Sequence, residues 1–359
     1  MPASSIDTFL ACSIMIALVL SAMIGTSMTL HPFLSGLSYK NYVERHQQLT
    51  KYLLLTTGTP SGWGCMSEVV PNSFGLASAN SFHPYELDID KITRLNNENA
   101  YSITYPQLLE SFGTRDVALR IEIKTLFDLS VNLASTSEKE NETTYNFEFF
   151  TDKSGFPISA QLRCYVIVKD YVHKMTLSTS SSGNGSANIT IPTSMNGTTL
   201  LVAFAKTKPQ MTAFNVYSFS HNSSTPKSNG TFMRLNPLNY VLNTFFSYPD
   251  EEVLRAQVFT YNYCFNLTQI SGGNQTAEYD IPHLLDASPM ILVLTGFNGT
   301  SSFAEWVSYP QLPLEIGANL SESSVVSFTY IVTINLAFYD LTIKCGGATF
   351  DYIQQQRTD

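Results

Sequence analysis

This chain of 359 residues is short of charge, with only 14% of it Asp, Glu, Lys or Arg. It has no Lys/Arg cluster and no CxxC pair, and its carboxylates are sparse. Each shortage excludes something. Without a basic stripe, and at a net charge of −9, the chain lacks the electrostatic footprint of a nucleic-acid binder. Its six histidines (His31, His46, His83, His173, His221 and His283) include no HExxH and no paired spacing, so no metal site is expected. There is no G-x-S-x-G elbow and no phosphate loop, and few carboxylates are placed to form a glycosidase pair. No catalytic residue and no cofactor is therefore expected, and the chain does not read as an enzyme.

Apolar residues are not scarce, at 44%. That is enough apolar surface to offset the entropy of ordering, so the low charge does not mean disorder. Ser, Thr, Asn and Tyr must build the polar surface, which suits an extracellular β protein. The length allows two or three domains. Five cysteines occur, Cys12 within an apolar run and Cys65, Cys164, Cys264 and Cys345 far apart. Outside the cell the last four admit two disulfides in three connectivities, or stay as four free thiols.

From Thr8 to Leu30 no residue is charged. The run is long enough to cross a bilayer core of about 30 Å and exceeds the apolar length of a cleaved secretory signal, so it reads as retained. Asp7 stands at its entrance, after the small residues Ala3, Ser4 and Ser5. Past Pro32, a kink candidate, the pattern turns amphipathic. Tyr39, Tyr42, Val43, His46, Leu49 and Leu53 share one face, and Lys40, Glu44, Gln47 and Lys51 the other. Gly58 and Pro60 supply the stop, which predicts helix from about Ser4 to Thr57.

A long helix, apolar then amphipathic, with one acid near its start, resembles the stalk of type IV pilins, most closely those of archaeal pilin-like surface proteins. The resemblance implies a peptidase cut just before the apolar run. A cut after Pro2 would make Ala3 the first mature residue and Asp7 the fifth, with Ser4 the neighbouring start. It also implies that Asp7 neutralises the N-terminal amine of an adjoining subunit during assembly. The chain departs from the family in having no Lys or Arg before the cut. Lys40, Arg45 and Lys51 follow the span and would favour a cytoplasmic carboxyl side, but large domains translocate largely regardless of charge.

The junction Tyr52-Leu53-Leu54-Leu55-Thr56-Thr57-Gly58-Thr59-Pro60-Ser61-Gly62-Trp63-Gly64 looks like the "LL-x-x-G-x-P-x-x-W" segment of the same archaeal group. Phe74-Gly75-Leu76-Ala77 and Tyr85-Glu86-Leu87-Asp88-Ile89-Asp90-Lys91-Ile92-Thr93-Arg94-Leu95 follow in the same order there. Trp63 is a candidate apolar plug. Leu87 to Asp90 alternates as a strand would, whereas Asp88 to Leu95 fits a short capped helix. Asp88 and Asp90 lack the later oxygens of a calcium loop.

From Val117 the pattern becomes strand-like, with Val117, Leu119, Ile121 and Ile123 alternating with polar neighbours. A repeat follows. Gly183-Asn184-Gly185-Ser186-Ala187 recurs as Gly273-Asn274-Gln275-Thr276-Ala277. Leu162-Arg163 and Val166 recur as Leu254-Arg255 and Val258, and Leu200-Leu201-Val202 as Ile291-Leu292-Val293. The offset of about 90 residues suits two tandem β-sandwich modules. The first resembles a transthyretin-like or Ig-like sandwich in its "D-x-S-G-x-P-I" and "G-x-G-x-A-x-I-x-I-P" segments, a likeness of fold alone. Strands at Val325 to Ile334 and Ala337 to Ile343 predict a hairpin that joins the Val117 sheet.

The expected class is α+β. A helix (1–57) precedes a pilin-like β head (58–140 plus 322–359) with two inserted sandwich modules (141–235 and 236–321). Sequons start at Asn141, Asn184, Asn188, Asn196, Asn222, Asn229, Asn266, Asn274, Asn298 and Asn319. None precedes residue 140, so the outer modules are expected to carry glycans and the base to be bare. The expected function is a cell-surface filament subunit, membrane-anchored before assembly, whose partners are copies of itself or related pilin-like subunits. The competing reading is a non-polymerising single-span surface binding protein that recognises a glycan or partner cell.

Overall fold

The computed structural model describes residues 3–81, 83–113, 117–223, 232–299, 301–320 and 325–347, without side chains at 3–8 and 29–39. It divides into two compact units, 1–51 and 52–359. The first is helical. Helix α1 (Ala3–Leu55) is 53 residues long, about 80 Å at 1.5 Å per residue, and its helical backbone continues through Pro32. It ends two residues before the expected Thr57, where Leu53 O, the acceptor a helical Thr57 amide would use, accepts from the Leu76 amide at 2.8 Å and Gly58 turns the chain at φ +73°. The Ala77 amide takes Thr56 O at 2.9 Å and Lys91 Nζ takes Thr57 O at 2.8 Å.

The second unit, Tyr52 onward, is mostly antiparallel β. A 3₁₀ turn at Trp63–Cys65 leads to α2 (Ile89–Thr93) and α3 (Tyr105–Phe112). Asp88 decides between strand and helix at this point. Its Oδ1 accepts from the amides of Asp90 and Lys91, at 3.0 and 3.1 Å, as an N-cap. A capping box at Thr104 and Gln107 starts α3, and Gly113, at φ +67°, ends it.

Strand β1 (Val117–Thr125) opens the sheets. There follow β2 (Asp128–Lys139), β3 (Glu142–Lys153), β4 (Phe156–Pro157), β5 (Gln161–Val168), β6 (Tyr171–Ser178), β7 (Asn184–Pro192), β8 (Gly197–Lys208) and β9 (Met211–His221). The next group is β10 (Met233–Leu238), β11 (Val241–Phe246), β12 (Glu251–Phe259), β13 (Cys264–Asn266), β14 (Thr268–Gly272), β15 (Thr276–Asp280), β16 (Met290–Asn298) and β17 (Ser301–Tyr309). Last come β18 (Leu314–Gly317), β19 (Val326–Ile334) and β20 (Ala337–Gly347).

Among the described residues these strands make five sheets. One has the order β18-β1-β20-β19, so the C-terminal hairpin lies against β1, with Val117 opposite Gly347. Two others run β6-β5-β8-β9 and β13-β12-β16-β17. The remaining two are β2-β3-β4, with β7 beside β3, and β10-β11-β15-β14. Strand β2 falls within the stretch assigned to the head yet pairs along β3. Strand β18 falls within the stretch assigned to the second module yet pairs with β1.

In the β6-β5-β8-β9 sheet the central strands β5 and β8 are buried on both faces. Leu162, Cys164, Val166, Leu201 and Ala203 meet Phe147, Phe149, Ile189 and Ile191 of β3 and β7. Their alternates Tyr165, Ile167, Leu200, Val202 and Phe204 meet Phe259, Ile291, Val293 and Ala304 of β12, β16 and β17. A strand with two apolar faces needs a continuous apolar run, and β8 has one from Leu200 to Ala205.

Candidate functional site

In the first unit the stretch Phe9–Met28 has mean hydropathy 2.3 and none of it is buried. Large apolar side chains, including Phe9, Met15, Leu18, Met23 and Met28, lie open all round the helix, as in a segment whose environment is lipid or other helices. The hydroxyls of Ser13, Ser21 and Thr26 are satisfied within the helix. Ser13 donates to Phe9 O at 2.8 Å and Thr26 to Ala22 O at 2.8 Å, which lets them sit in an apolar medium. Of the expected processing and assembly residues, Ala3, Ser4 and Asp7 lie on the α1 backbone with side chains outside the described residues, and Pro2 lies outside them altogether. Further along, Lys40, Glu44, Gln47 and Lys51 are exposed while His46 and Thr50 are buried.

In the second unit the junction packs around Trp63, which is 0% exposed. Its Nε1–H donates to Gly75 O at 3.1 Å, and its ring lies 5.6 Å from that of Phe74. Gly58 permits this approach, since at φ +73° a Cβ there would come within 2.5 Å of Ser73 O. Two cations are buried beside the indole. Lys91 Nζ donates to Thr57 O and Ala77 O at 2.8 and 2.7 Å. Arg94 donates to Tyr101 O at 2.9 Å, Met66 O at 2.7 Å, Val69 O at 2.9 Å and Ser67 O at 3.2 Å, and also to Trp63 O. Burial pulls the Lys91 ammonium below its ordinary range, and the nearby Asp88 charge partly restores it.

Asp90 carries the junction into the sheets. Its Oδ1 accepts from Tyr309 OH at 2.6 Å and from the Asn239 amide at 2.8 Å. Burial raises the Asp90 carboxyl, and those two hydrogen bonds oppose the rise. Asn99 adds a contact to Gln311 Oε1 at 2.6 Å. The arrangement fixes backbone and presents no nucleophile–base pair. Trp63, Asp90, Lys91 and Arg94 stand in the junction segments read from the sequence, whereas Asn99, Asn239, Tyr309 and Gln311 do not, and a buried cation held by carbonyls has no signature in residue spacing.

No family model matches the chain, and no curated protein does. Among solved structures, a marsupial T cell receptor aligns with a TM-score of 0.18 at 9% identity, over 50% of this chain and 94% of that one. Human GIVD cytosolic phospholipase A2 aligns with a TM-score of 0.14 at 10% identity, over 66% of this chain and 33% of that one. The chain thus spans about a third of the phospholipase. At such scores neither likeness bears on fold or activity.

The disulfides admitted by the sequence are absent among the described residues, and all five cysteines are free thiols. The reason is placement. Cys164 is on β5, inside the core shared with β3, and Cys345 is on β20, while Cys65 follows Trp63 and Cys264 sits on the edge strand β13. Burial pushes the Cys164 and Cys345 thiols up to about 12, which makes them inert. Of the sequons, Asn141, Asn184, Asn188, Asn196, Asn222, Asn266, Asn274 and Asn319 are exposed and Asn298 half-buried. Asn229 lies outside the described residues. Asn188 alternates outward on β7, opposite Asn146 of β3.

Proposed function

We propose that the chain is a structural cell-surface protein, a type IV pilin-like filament subunit anchored in the membrane before assembly and packed through its N-terminal helix afterwards. One observation carries the reading. Phe9–Met28 is an unburied apolar helix long enough to span a bilayer, and in water that much apolar surface would cost far more than the head's stability supplies. Lipid and the helices of like subunits are the two environments that can cover it. Asp7, four residues after a mature start at Ala3, would meet the amine of a neighbour there. The sequons agree with an outward-facing head, since no described sequon asparagine is buried.

Within this reading the head carries two tandem copies of one β-sandwich on a pilin-like base. The β6-β5-β8-β9 and β13-β12-β16-β17 sheets share one strand order, and β2-β3-β7 matches β10-β11-β15, with β4 and β14 the edge strands that differ. Register supports the reading too. Val166 faces His173 on one side and Leu201 on the other, and its repeat partner Val258 faces Phe265 and Leu292. His173 and Phe265 are separated by the same offset as Val166 and Val258. A chance resemblance would not keep three strands in step. Matching outer faces would then meet back to back, because Ile167 and Phe259 are equivalent and touch one core, as in an isologous pairing.

Shearing cells without detergent tests the function. A filament subunit leaves with the sheared fraction, whereas a lone anchored binding protein stays with the membranes.

A further inference from the structure

Trp306 of β17 borders two cavities of the second unit. The larger, about 670 Å³, runs along Glu305 to Ser308 and is walled by residues 96–98, the start of β10 and the segment from Gln311 to Glu315. The smaller, about 420 Å³, is bordered by Lys124, Asp128, Ser130 and Asn215. Leu312 and Pro313 line both cavities beside Trp306. Each volume is in the range of a small-molecule site, about 300–1,000 Å³. The chain has two tryptophans. Trp63 is 0% exposed, whereas Trp306 is half-buried. With Phe214 and Val216 it packs against the core that holds Ile291 and Val293, which fixes the indole and leaves part of it open.

The walls of the larger cavity are tied together. Ser308 Oγ accepts from the Leu312 amide at 3.0 Å and donates to Leu312 O at 3.2 Å. Asn99 Nδ2 donates to Gln311 Oε1 at 2.6 Å, and Asn96 Nδ2 to Gln311 O at 3.4 Å. A cavity held in this way is formed before a ligand arrives. Glu305 alternates to the opposite face of β17 from Trp306, yet lines the same cavity because β17 is the edge of its sheet. It is 2% exposed. Its Oε1 accepts from the Phe232 and Met233 amides at 2.9 and 3.4 Å, while its buried Oε2 has no hydrogen-bond donor. A buried oxygen left unpaired costs free energy that a ligand hydroxyl would recover.

The side chains around the cavity narrow the class of ligand. Glu98 and Arg234 are exposed at its rim, and Arg234 forms no ion pair among the described residues. Glu315 is already held by Arg120. A wholly apolar ligand would leave Glu305 Oε2 unpaired. An anion would meet Glu98 and Glu305, and a cation would meet Arg234. A pyranose meets all of these groups. Its C–H face suits the negative face of an indole, and its hydroxyls donate to carboxylates and accept from a guanidinium. We propose that the Trp306 cleft binds a neutral glycan, with one ring against the indole, hydroxyls bonded to Glu98, Arg234 and Glu305, and further rings passing Leu312 and Pro313 into the smaller cavity. The site needs no neighbouring subunit, so it stands whether or not the chain polymerises.

The test uses the full chain in a detergent without a sugar head and reads Trp306 by fluorescence, since Trp63 is shielded. The probes are methyl glycosides of glucose, galactose, mannose and N-acetylglucosamine, and the linear trisaccharides of each. At least one sugar should protect Trp306 from acrylamide quenching in a saturable way. Its trisaccharide should bind at least about tenfold tighter than the single ring, worth about 1.4 kcal/mol. By calorimetry, Trp306→Ala should weaken binding at least about tenfold, and Arg234→Ala and Glu98→Gln several-fold. Asp128→Ala should remove the advantage of the trisaccharide and leave single-ring binding unchanged. Arg234, Glu98 and Asp128 are exposed, so these variants keep the test usable if Trp306→Ala fails to fold. Protection by none of the sugars, or Trp306→Ala binding as tightly as wild type, would overturn the site. So would protection by spermidine and by no sugar, which would make the cleft a cation site.

Discussion

Arg94 shows how much of the junction rests on one side chain. Five carbonyls, from Trp63, Met66, Ser67, Val69 and Tyr101, converge on its guanidinium, and the residue is 2% exposed. A loop that turns inward must find donors for its carbonyls, and a planar fork of five N–H groups can serve several at once. Arg94→Met would leave those oxygens buried and unpaired at a cost of about 3–5 kcal/mol. Arg94→Lys would recover little, because one ammonium cannot span the same set. Chemical denaturation of a chain lacking the apolar span measures both, and a loss under about 1 kcal/mol for either would contradict the assignment. The residue types were all in the sequence. The convergence was not, because it depends on a chain reversal at Gly58 and Pro60 that brings positions some thirty residues apart together. The cysteines teach the same lesson from the other side, since a count of four allows pairing but cannot say that each thiol sits on a different element.

Elements with a clean period were the most legible. The alternation of Val117, Leu119, Ile121 and Ile123 became β1, with those four buried. Asn335-Leu336 became the turn between β19 and β20, with Ile334 opposite Ala337. Both turn residues have positive φ, +46° for Asn335 and +69° for Leu336. Such a two-residue turn matches the twist of the strands and favours Asn-Gly. Leucine is the poor choice at the second position. Leu336→Gly should therefore gain up to about 1 kcal/mol, the relief of left-handed strain less the entropy a glycine loses on folding. Urea unfolding of the same soluble form reads it, and a destabilisation would mean that the exposed leucine makes a contact worth more than the strain. Strands β5 and β8 were harder to interpret, because a run apolar on every residue hides its period. The sequence showed that such strands are buried but not that their second face meets β12 and β16. The segment at Asp88 offered two periods, and only the capping hydrogen bonds of its side chain decided for helix.

For the whole molecule, the sequence made the division between helix and head legible, because an uncharged run is a statement about solvent and needs no knowledge of packing. The sequence repeat was legible as a recurring pattern, which the proposed tandem modules would explain, since equivalent core positions are refilled with similar residues. What the sequence left out is how the sheets stack, which depends on long-range contacts with no local pattern. The account as a whole stands on a helix from near residue 3 that is retained and passes from membrane into filament. N-terminal sequencing of the protein recovered from sheared cells tests this most directly. The account predicts a mature start at Ala3 or Ser4, with Asp7 at or next to the fifth position. An intact Met1, or a start beyond Ala22 that discards the apolar span, would contradict it.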